Sequence, residues 1–306
     1  MTDPRFDQLA IVIVNWNGPD DTIACLDSLA QTPLPPERVV LVDNGSTDDS
    51  VARIAAAHPR VTLLPTGRNL GFTGGNNLGI AHARQPGVRY VMLLNNDTVL
   101  GPAMLERLLD AAERHPRFGV LTPEIRYHDE PEAVWFDGAR LDLARGLAVH
   151  DRPAATVGGG IEPLPWTSGC AMLIRDEVLE QCGGFDDRFF LNWEDVDLSL
   201  RVVAAGWELG LVRGAVLYHK VGRSFARVSG LGLYYHARNQ WLLLRLHGGA
   251  GRRRAAARVL ARRVRETLRL LRHRPGTFVG AARWTARAGW DHARGRYGPI
   301  ATGGAR

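Results

Sequence analysis

The chain has 306 residues, 45% of them hydrophobic and 23% charged, which suits a globular protein with room for a sizeable core. Three cysteines without a CxxC pair, Cys25, Cys170 and Cys182, exclude a cysteine-based zinc site and fit a reducing, cytoplasmic compartment better than a disulfide framework. The net charge of +6 divides unevenly, with 22 Lys+Arg against 30 acids in residues 1–244 and 16 Arg against 2 acids in residues 245–306.

MTDPRFDQLA lacks the charged and apolar regions of a signal peptide. No uninterrupted apolar run approaches about 18 residues, so no membrane-spanning helix is expected.

In chain order, residues 9–14 (LAIVIV) form a continuous apolar run, as expected of a strand covered on both faces. Residues 20–30 carry Ile23, Leu26, Leu29 and Ala30 at helical spacing, with Asp20 or Asp21 as cap. Residues 38–43 repeat the strand pattern, and a helix follows over 47–57, opened by Thr47 or Asp48. Strands at 61–64 and 90–94 alternate with helices at 74–84 and 102–114, the last with proline in its first turn. Strands alternating with helices of this length predict βαβ units and a mostly parallel, buried α/β sheet.

After about residue 120 the pattern changes. Residues 133–149 read as short strands or a hairpin, and the Gly- and Pro-rich stretch 156–165 as a mobile loop. Residues 170–174 read as a strand, 194–205 as a helix, and 209–212 and 215–218 as two further strands. There is no internal repeat and no GxGxxG or GxxxxGK[ST] fingerprint, so dinucleotide and P-loop binding lack specific support.

Polar residues end three strands: Asn15-Trp16-Asn17-Gly18, Asp43-Asn44-Gly45-Ser46 and Asn95-Asn96-Asp97. Each alone reads as a turn. Together they mark the carboxyl edge of the sheet, where ligands of open α/β sheets bind.

The ordered segments IVIVNWNG, VLVDNGSTDDS, RNLGFTGGNNLG, LLNNDT, WTSGCAMLIR, GGFDDRFFLNWEDVDLSLR and LYHKVGRS resemble a family 2 glycosyltransferase of the GT-A fold. The likeness covers roughly residues 9–245, and the NWNG, NNDT and WEDVDL versions are most similar to the bacterial rhamnosyltransferase branch. It implies an inverting, metal-dependent transferase. The donor would be a nucleotide diphosphate sugar, dTDP- or UDP-linked, with rhamnose the sugar the branch points to, and the acceptor a cell-surface glycan or a polyprenyl-linked lipid.

The segment matching the family's DxD motif is Asn95-Asn96-Asp97. In an extended backbone Asn95 and Asp97 share one side and Asn96 takes the other. The resemblance makes Asp97 a ligand of Mn2+ or Mg2+ and Asn95 a neutral partner for metal-bound water or the ribose. It makes His219, in LYHK, a distant further metal contact, although a lone histidine is otherwise more often structural. Asp195 is implied as the base that takes the acceptor's proton, Glu194 as second choice or acceptor-orienting group, and Asp197 as structural. Physics alone reads these acids as first-turn helix caps.

Asp43 resembles the nucleobase contact, and Asn15 and Asn17 should line its pocket. Trp16 either stacks on the base or points into the core. Arg68 and Asn69 precede the glycine-rich turn 71–75. Asn76 and Asn77 are expected to begin the following helix, where amides can meet ribose or phosphate. Asn96 belongs with the donor-binding residues. Trp166, Ser168 and Trp193, with Gly169, are the expected acceptor side, either tryptophan being equally a core residue.

These pieces predict a GT-A domain over 1–245, divided into a nucleotide-sugar half, 9–120, and an acceptor half, 121–245. A basic helical tail, 246–306, follows. In residues 252–271, Leu260, Val264, Leu268 and Leu271 form one stripe among arginines. Such a helix either lies on an anionic membrane surface, here the inner face of the plasma membrane, or packs on the body with a solvated basic face. Tyr234, Tyr235 and residues 241–244 would extend that apolar surface, with Trp284 and Trp290 as interface anchors. The alternatives are a nucleotidyltransferase on a similar scaffold, or a nucleic-acid binder using the arginine tail. The acidic body and the lack of a nucleic-acid motif weigh against the latter.

Overall fold

The computed structural model describes residues 3–150, 160–221, 230–273 and 275–300. The four strands expected in the first half are β1 (Leu9–Asn15), β2 (Val39–Asp43), β3 (Thr62–Pro65) and β4 (Tyr90–Asn95). They pair in parallel, with β1 between β2 and β4. Register sets Asn15 beside Asp43, and Val14 beside Asn95, so the polar strand ends come to one edge.

The connecting helices are α1 (Pro19–Leu29), α2 (Ser50–Ala57), α3 (Gly71–Ala83) and α4 (Met104–Arg114). Their starts differ from expectation for local reasons. α1 follows Gly18 with no side-chain cap, so neither Asp20 nor Asp21 serves as one. α2 begins three residues late because the Asp48 carboxylate accepts from both the backbone N–H and the hydroxyl of Ser50, holding a turn ahead of the helix. α3 begins three residues early, at Gly71, so Asn76 and Asn77 lie in its second turn rather than at its start.

Local pattern missed two strands and a helix: β5 (Thr98–Leu100), β6 (Phe118–Tyr127) and α5 (Asp176–Cys182). β6 is central, yet it contains Pro123, which argues against an interior strand. The proline is accommodated at a register shift against β12 (Glu208–His219), where Val212 faces Pro123 and Val216 faces Glu124. The same irregularity explains why residues 209–212 and 215–218 read as two strands when they form one bulged strand.

β7 (Val134–Phe136), β8 (Ala139–Asp142) and β9 (Leu147–His150) fill the expected hairpin region, with β8 and β9 paired antiparallel. β10 (Ile161–Pro163) occupies part of the stretch expected as a mobile loop, and residues 156–159 of that stretch lie outside the described residues. β11 (Ala171–Arg175) runs antiparallel to both β4 and β6, so the sheet is parallel in its first half and mixed in its second. The order is β10-β12-β6-β11-β4-β1-β2-β3.

The remaining helices are α6 (Glu194–Ala204), α7 (Leu231–His247), α8 (Arg252–His273) and α9 (Pro275–Ala293). α7 runs across residue 245, so the expected boundary falls inside a helix. Tyr234, Tyr235, Trp241 and Leu244 of α7 pack with Ala255 and Val259 of α8 and Ala288 of α9 in a second small core. They are interior, not an apolar surface leading into the tail. Trp284 packs over Gly230, while Trp290 is exposed beneath the Arg294 guanidinium.

Candidate active site

At the β1–β2 edge, buried Asn15 is a hub. Its amide donates to Asp43 Oδ2 at 2.8 Å and to Ser46 Oγ at 3.1 Å, and its Oδ1 accepts from Thr22 at 2.8 Å. Asn96 turns toward the same hub, donating to Thr22 Oγ1 at 2.9 Å. Asp43 is buried and also accepts the Ser46 backbone N–H at 3.0 Å and its hydroxyl at 2.6 Å. Asn17, at φ +52°, accepts the Thr47 N–H at 2.8 Å. Trp16, between them, is 39% exposed, which resolves its two readings in favour of the surface.

Asn44, not singled out from sequence, fixes the turn ahead of α3. Its Oδ1 accepts the Leu70 N–H at 2.9 Å, and its Nδ2 donates to the Gly71 carbonyl at 3.0 Å. Asn69 accepts the Gly71 N–H at 2.7 Å. Asn76 is buried and donates to the Phe72 carbonyl of its own helix at 2.8 Å, while Asn77 ties α3 to Phe185 and Asp187. A position directly after a buried strand's last acid was the cue available for Asn44.

The second constellation joins residues 122 apart in sequence. β5 pairs antiparallel with the end of β12, setting Thr98 opposite His219. This brings Asp97 Oδ1 within 3.1 Å of His219 Nε2, both side chains buried, and the Asp97 carbonyl accepts the Lys220 N–H at 2.9 Å. Burial disfavours the charged imidazole, but Cys170 and the Asp97 carboxylate outweigh it and push the His219 pKa up to about 10. His219 Nδ1 is buried without a hydrogen-bond partner, and the Trp135 ring stands edge-on at 4.8 Å. Among the described residues no third His, Cys, Asp or Glu completes a metal cluster.

The third constellation opens α6. The chain reaches it through left-handed backbone at Phe190, Asn192 and Trp193, with φ of 64°, 69° and 74°. Such conformations cost about 1–3 kcal/mol per residue and persist where surrounding contacts impose them. Glu194 is buried, its Oε2 has no hydrogen-bond partner, and burial with the nearby Asp195 charge holds its carboxyl well above the usual range. Burial raises Asp195 too, against the opposing N–H donors of Gly169 and Val196, at 3.1 and 2.8 Å.

Gly169 links this corner to β4. Its neighbour Cys170 accepts the Asn95 N–H at 2.9 Å, so the Asp195 carboxylate is one residue removed from the end of β4. A Cβ at Gly169 would crowd Phe72, 3.3 Å away, and would touch Asp195 at ordinary contact distance. Asp197 accepts from Arg201 at 2.9 Å and pairs with His247 at 2.7 Å.

The expected acceptor tryptophans are core residues. Trp166 is 4% exposed, donates to the Arg140 carbonyl, and packs against Phe136 and His150. Trp193 is 7% exposed and donates to the His236 carbonyl at 3.1 Å. Neither offers an open face to a sugar ring. Ser168 is buried and accepts the Cys170 N–H. His150, missed from sequence, joins Trp135, Phe136 and Trp166 in an aromatic cluster that reaches His219 on one side and feels the Asp195 charge on the other.

The chain has relatives in sequence and in fold. The profile of Glycosyl transferase family 2 matches residues 10–182. The chain is 34% identical over 262 residues to the N-acetylglucosaminyl-diphospho-decaprenol L-rhamnosyltransferase of Mycobacterium tuberculosis, covering 78% of this chain and 84% of the relative. It is 31% identical over 217 residues to the galactofuranosyltransferase GlfT1 of the same species, covering 69% of each. Among solved structures, GalNAc-T7 with UDP, GalNAc and Mn2+ aligns over 76% of this chain and 47% of its own, with a TM-score of 0.62 and 15% identity. The mannosyltransferase PcManGT from Pyrobaculum calidifontis, in complex with GDP-Man and Mn2+, aligns over 94% and 87%, with a TM-score of 0.54 and 17% identity. These structures share the fold, and the sequence relatives are named glycosyltransferases. The chain belongs to glycosyl transferase family 2 and is a glycosyltransferase of the GT-A fold.

Proposed function

We propose that this enzyme transfers rhamnose from dTDP-rhamnose, with inversion, to a polyprenyl-diphosphate-linked glycan in bacterial cell-surface polysaccharide synthesis. The observation that carries the reading is the convergence of the Asp97–His219 pair and Asp195 on the ends of β4 and β11. The relative 34% identical to this chain, named for rhamnosyl transfer to a decaprenol-linked acceptor, supports the donor and acceptor class.

Asp195 takes the acceptor hydroxyl's proton as that oxygen bonds to the anomeric carbon. The bond from this carbon to the diphosphate oxygen breaks, and the electron pair leaves with the nucleoside diphosphate. Burial raises the Asp195 carboxyl toward the range of a working general base. Asp43, braced by Asn15 and Ser46, is proposed to meet the base, with Asn17, Asn69 and Asn95 toward ribose and diphosphate. Asn15, Asn76 and Asn96 spend their amides on protein partners and act in support. Ser168 borders the acceptor side.

The donors present fit a divalent cation. The Asp97 carboxylate and the His219 imidazole, joined through Nε2, would give an oxygen-plus-imidazole pair suited to Mn2+ once the cation displaces the proton between them. Two protein ligands leave room for substrate diphosphate oxygens. When bound, the cation would neutralise charge on the leaving diphosphate.

We also propose that α8 seats the enzyme on anionic lipid. Leu260, Val264 and Leu268 are 51%, 47% and 52% exposed along one face among arginines. No described helix is long and apolar enough to cross a membrane. Sedimentation with phosphatidylglycerol vesicles should fall severalfold in a Leu260→Ser, Val264→Ser, Leu268→Ser variant. Undiminished binding would refute the seating. For the chemistry, labelled dTDP-rhamnose with Mn2+ and a polyprenyl-diphospho-N-acetylglucosamine acceptor should give an acceptor-linked product. Transfer from UDP- or GDP-sugars alone would reassign the donor.

A further inference from the structure

The left-handed path into α6 is not stabilised by its own sequence. Phe190, Asn192 and Trp193 are all non-glycine residues at positive φ, so contacts from elsewhere must hold them there. The side-chain donors to the loop's carbonyls come from two adjacent residues of α7.

Asn239 is fully buried, and its Nδ2 lies 2.7 Å from the Phe189 carbonyl, 2.7 Å from that of Leu191 and 3.0 Å from that of Asn192. An amide has two hydrogens, so three loop carbonyls share them and the side chain has no donor to spare. Its Oδ1 in turn accepts from Arg238 Nε at 2.9 Å, which fixes the amide's orientation.

Arg238 is buried as well. It donates to the carbonyls of Arg188 and Phe189 at 3.1 Å each, and to Gly298 at 2.7 Å. Among the described residues no carboxylate lies within ion-pair distance of it. The charge is met by carbonyl dipoles and by the faces of Tyr234, Tyr235 and Tyr297, 5.3, 5.0 and 5.8 Å from the guanidinium carbon. A buried guanidinium spent on backbone carbonyls is a costly way to build a core, but its planar fork suits a loop with several carbonyls turned one way.

The loop held by this pair touches both sides of the site. Its far end is Glu194–Asp195. Midway, the Phe190 ring stacks on Tyr235 at 4.9 Å and its carbonyl accepts the Thr73 N–H at 3.3 Å, while Gly71 leaves the space that Phe190 fills.

We propose that Arg238 and Asn239 are positioning residues for the transfer reaction, clamping residues 188–193 so that the Asp195 carboxylate stays seated on the Gly169 N–H. This rests on Asp195 being the base. It assigns the arginine–asparagine pair of α7, beyond the stretch matched by the family profile, a part in catalysis without contact to substrate.

The test is Asn239→Asp in the full chain. The substitution keeps volume and gives Arg238 a charged partner, so the core is retained while the three loop carbonyls lose their donor. Amide exchange of residues 188–198 should quicken about tenfold or more, with β1 and β4 unchanged. Turnover of dTDP-rhamnose should drop about 100-fold, the scale expected for a misplaced reacting group, while dTDP affinity stays within about threefold. Arg238→Lys, which keeps the charge but loses the fork, should show the same pattern at about a tenfold loss. Parental exchange and turnover in Asn239→Asp would overturn the clamp, as would dTDP affinity falling in step with turnover. Asp195→Asn in the same assay separates the two ideas. If it retains turnover, the base assignment fails while the exchange result still judges the clamp.

Discussion

The two halves of the site are built in opposite ways. At the β1–β2 edge, Asn15, Asp43, Ser46 and Thr22 satisfy one another, with Asn15 and Asp43 set side by side by strand register. At the α6 corner, three residues sit in left-handed backbone, Glu194 Oε2 is buried without a partner, and the support comes from α7 more than 40 residues later. The donor edge is a satisfied platform, and the corner is a strained one held from outside. Rigidity is cheap where a ligand need only be bound, and strain gathers where a buried acid must stay poised to take a proton.

The sharpest way to break this contrast is at the corner's acid. Asp195→Asn keeps the side chain's shape and one of the two oxygens that accept from Gly169 and Val196, but removes the base. It should lower kcat by roughly 10²–10⁴-fold with donor affinity nearly unchanged. A loss confined to KM would place Asp195 in donor binding and make the two halves alike.

Asp97→Ala comes next. It strips the carboxylate from the His219 pair and leaves a buried imidazole facing a void. Activity should fall roughly 10²-fold, the order seen for lost electrostatic stabilisation of a leaving group. Added Mn2+ should stabilise the parent against heat and not the variant. Equal Mn2+ shifts in both would remove Asp97 from the cation's shell.

How far each half could be read in the sequence follows the same division. β1 to β4 and their helices were legible because a continuous apolar run and a 3.6-residue period are local properties. That Asn15, Asp43 and Asp97 come at strand ends on one edge was legible because each follows such a run, while the roles proposed for them come from the family resemblance. Local pattern could not place β6, since Pro123 argues against a strand until β12 supplies the bulge that accepts it. Nor could it place Trp166 and Trp193, whose burial depends on Phe136, His150 and His236 arriving from other segments. α7 is the clearest case. Its apolar residues promised an exposed surface, but α8 and α9 cover them, and that packing turns Arg238 and Asn239 toward the loop.

At the satisfied edge the expected effect is smaller. Ser46→Ala deletes the hydroxyl that donates to Asp43 and accepts from Asn15, leaving the Ser46 backbone N–H in place. Loss of a hydrogen bond to a charged group costs about 1.5–3 kcal/mol, part of which should appear as weaker dTDP binding by about tenfold. Turnover at saturating donor should hardly change. A kcat loss without an affinity loss would tie the donor edge to catalysis.

The smallest effect tests whether the corner stores instability. The Glu194 carboxyl is raised in the folded protein by burial and the neighbouring Asp195 charge, from a value of 4.5. A carboxyl raised on folding contributes stability below its unfolded pKa and loses it as pH climbs through the folded one, because ionising it inside is unfavourable. Glu194→Gln cannot ionise, so it should melt close to the parent at about pH 4.5 and several degrees higher at about pH 8, on the scale of about 2–4 °C per kcal/mol for a chain of 150–250 residues or somewhat less here. Ser46→Ala should instead melt below the parent at both pH values, since it deletes a hydrogen bond and leaves Glu194 unchanged. If Glu194→Gln shows the same melting difference at both pH values, the buried carboxyl is not the stored cost, and the strain at the corner lies in the left-handed backbone of residues 190–193 alone.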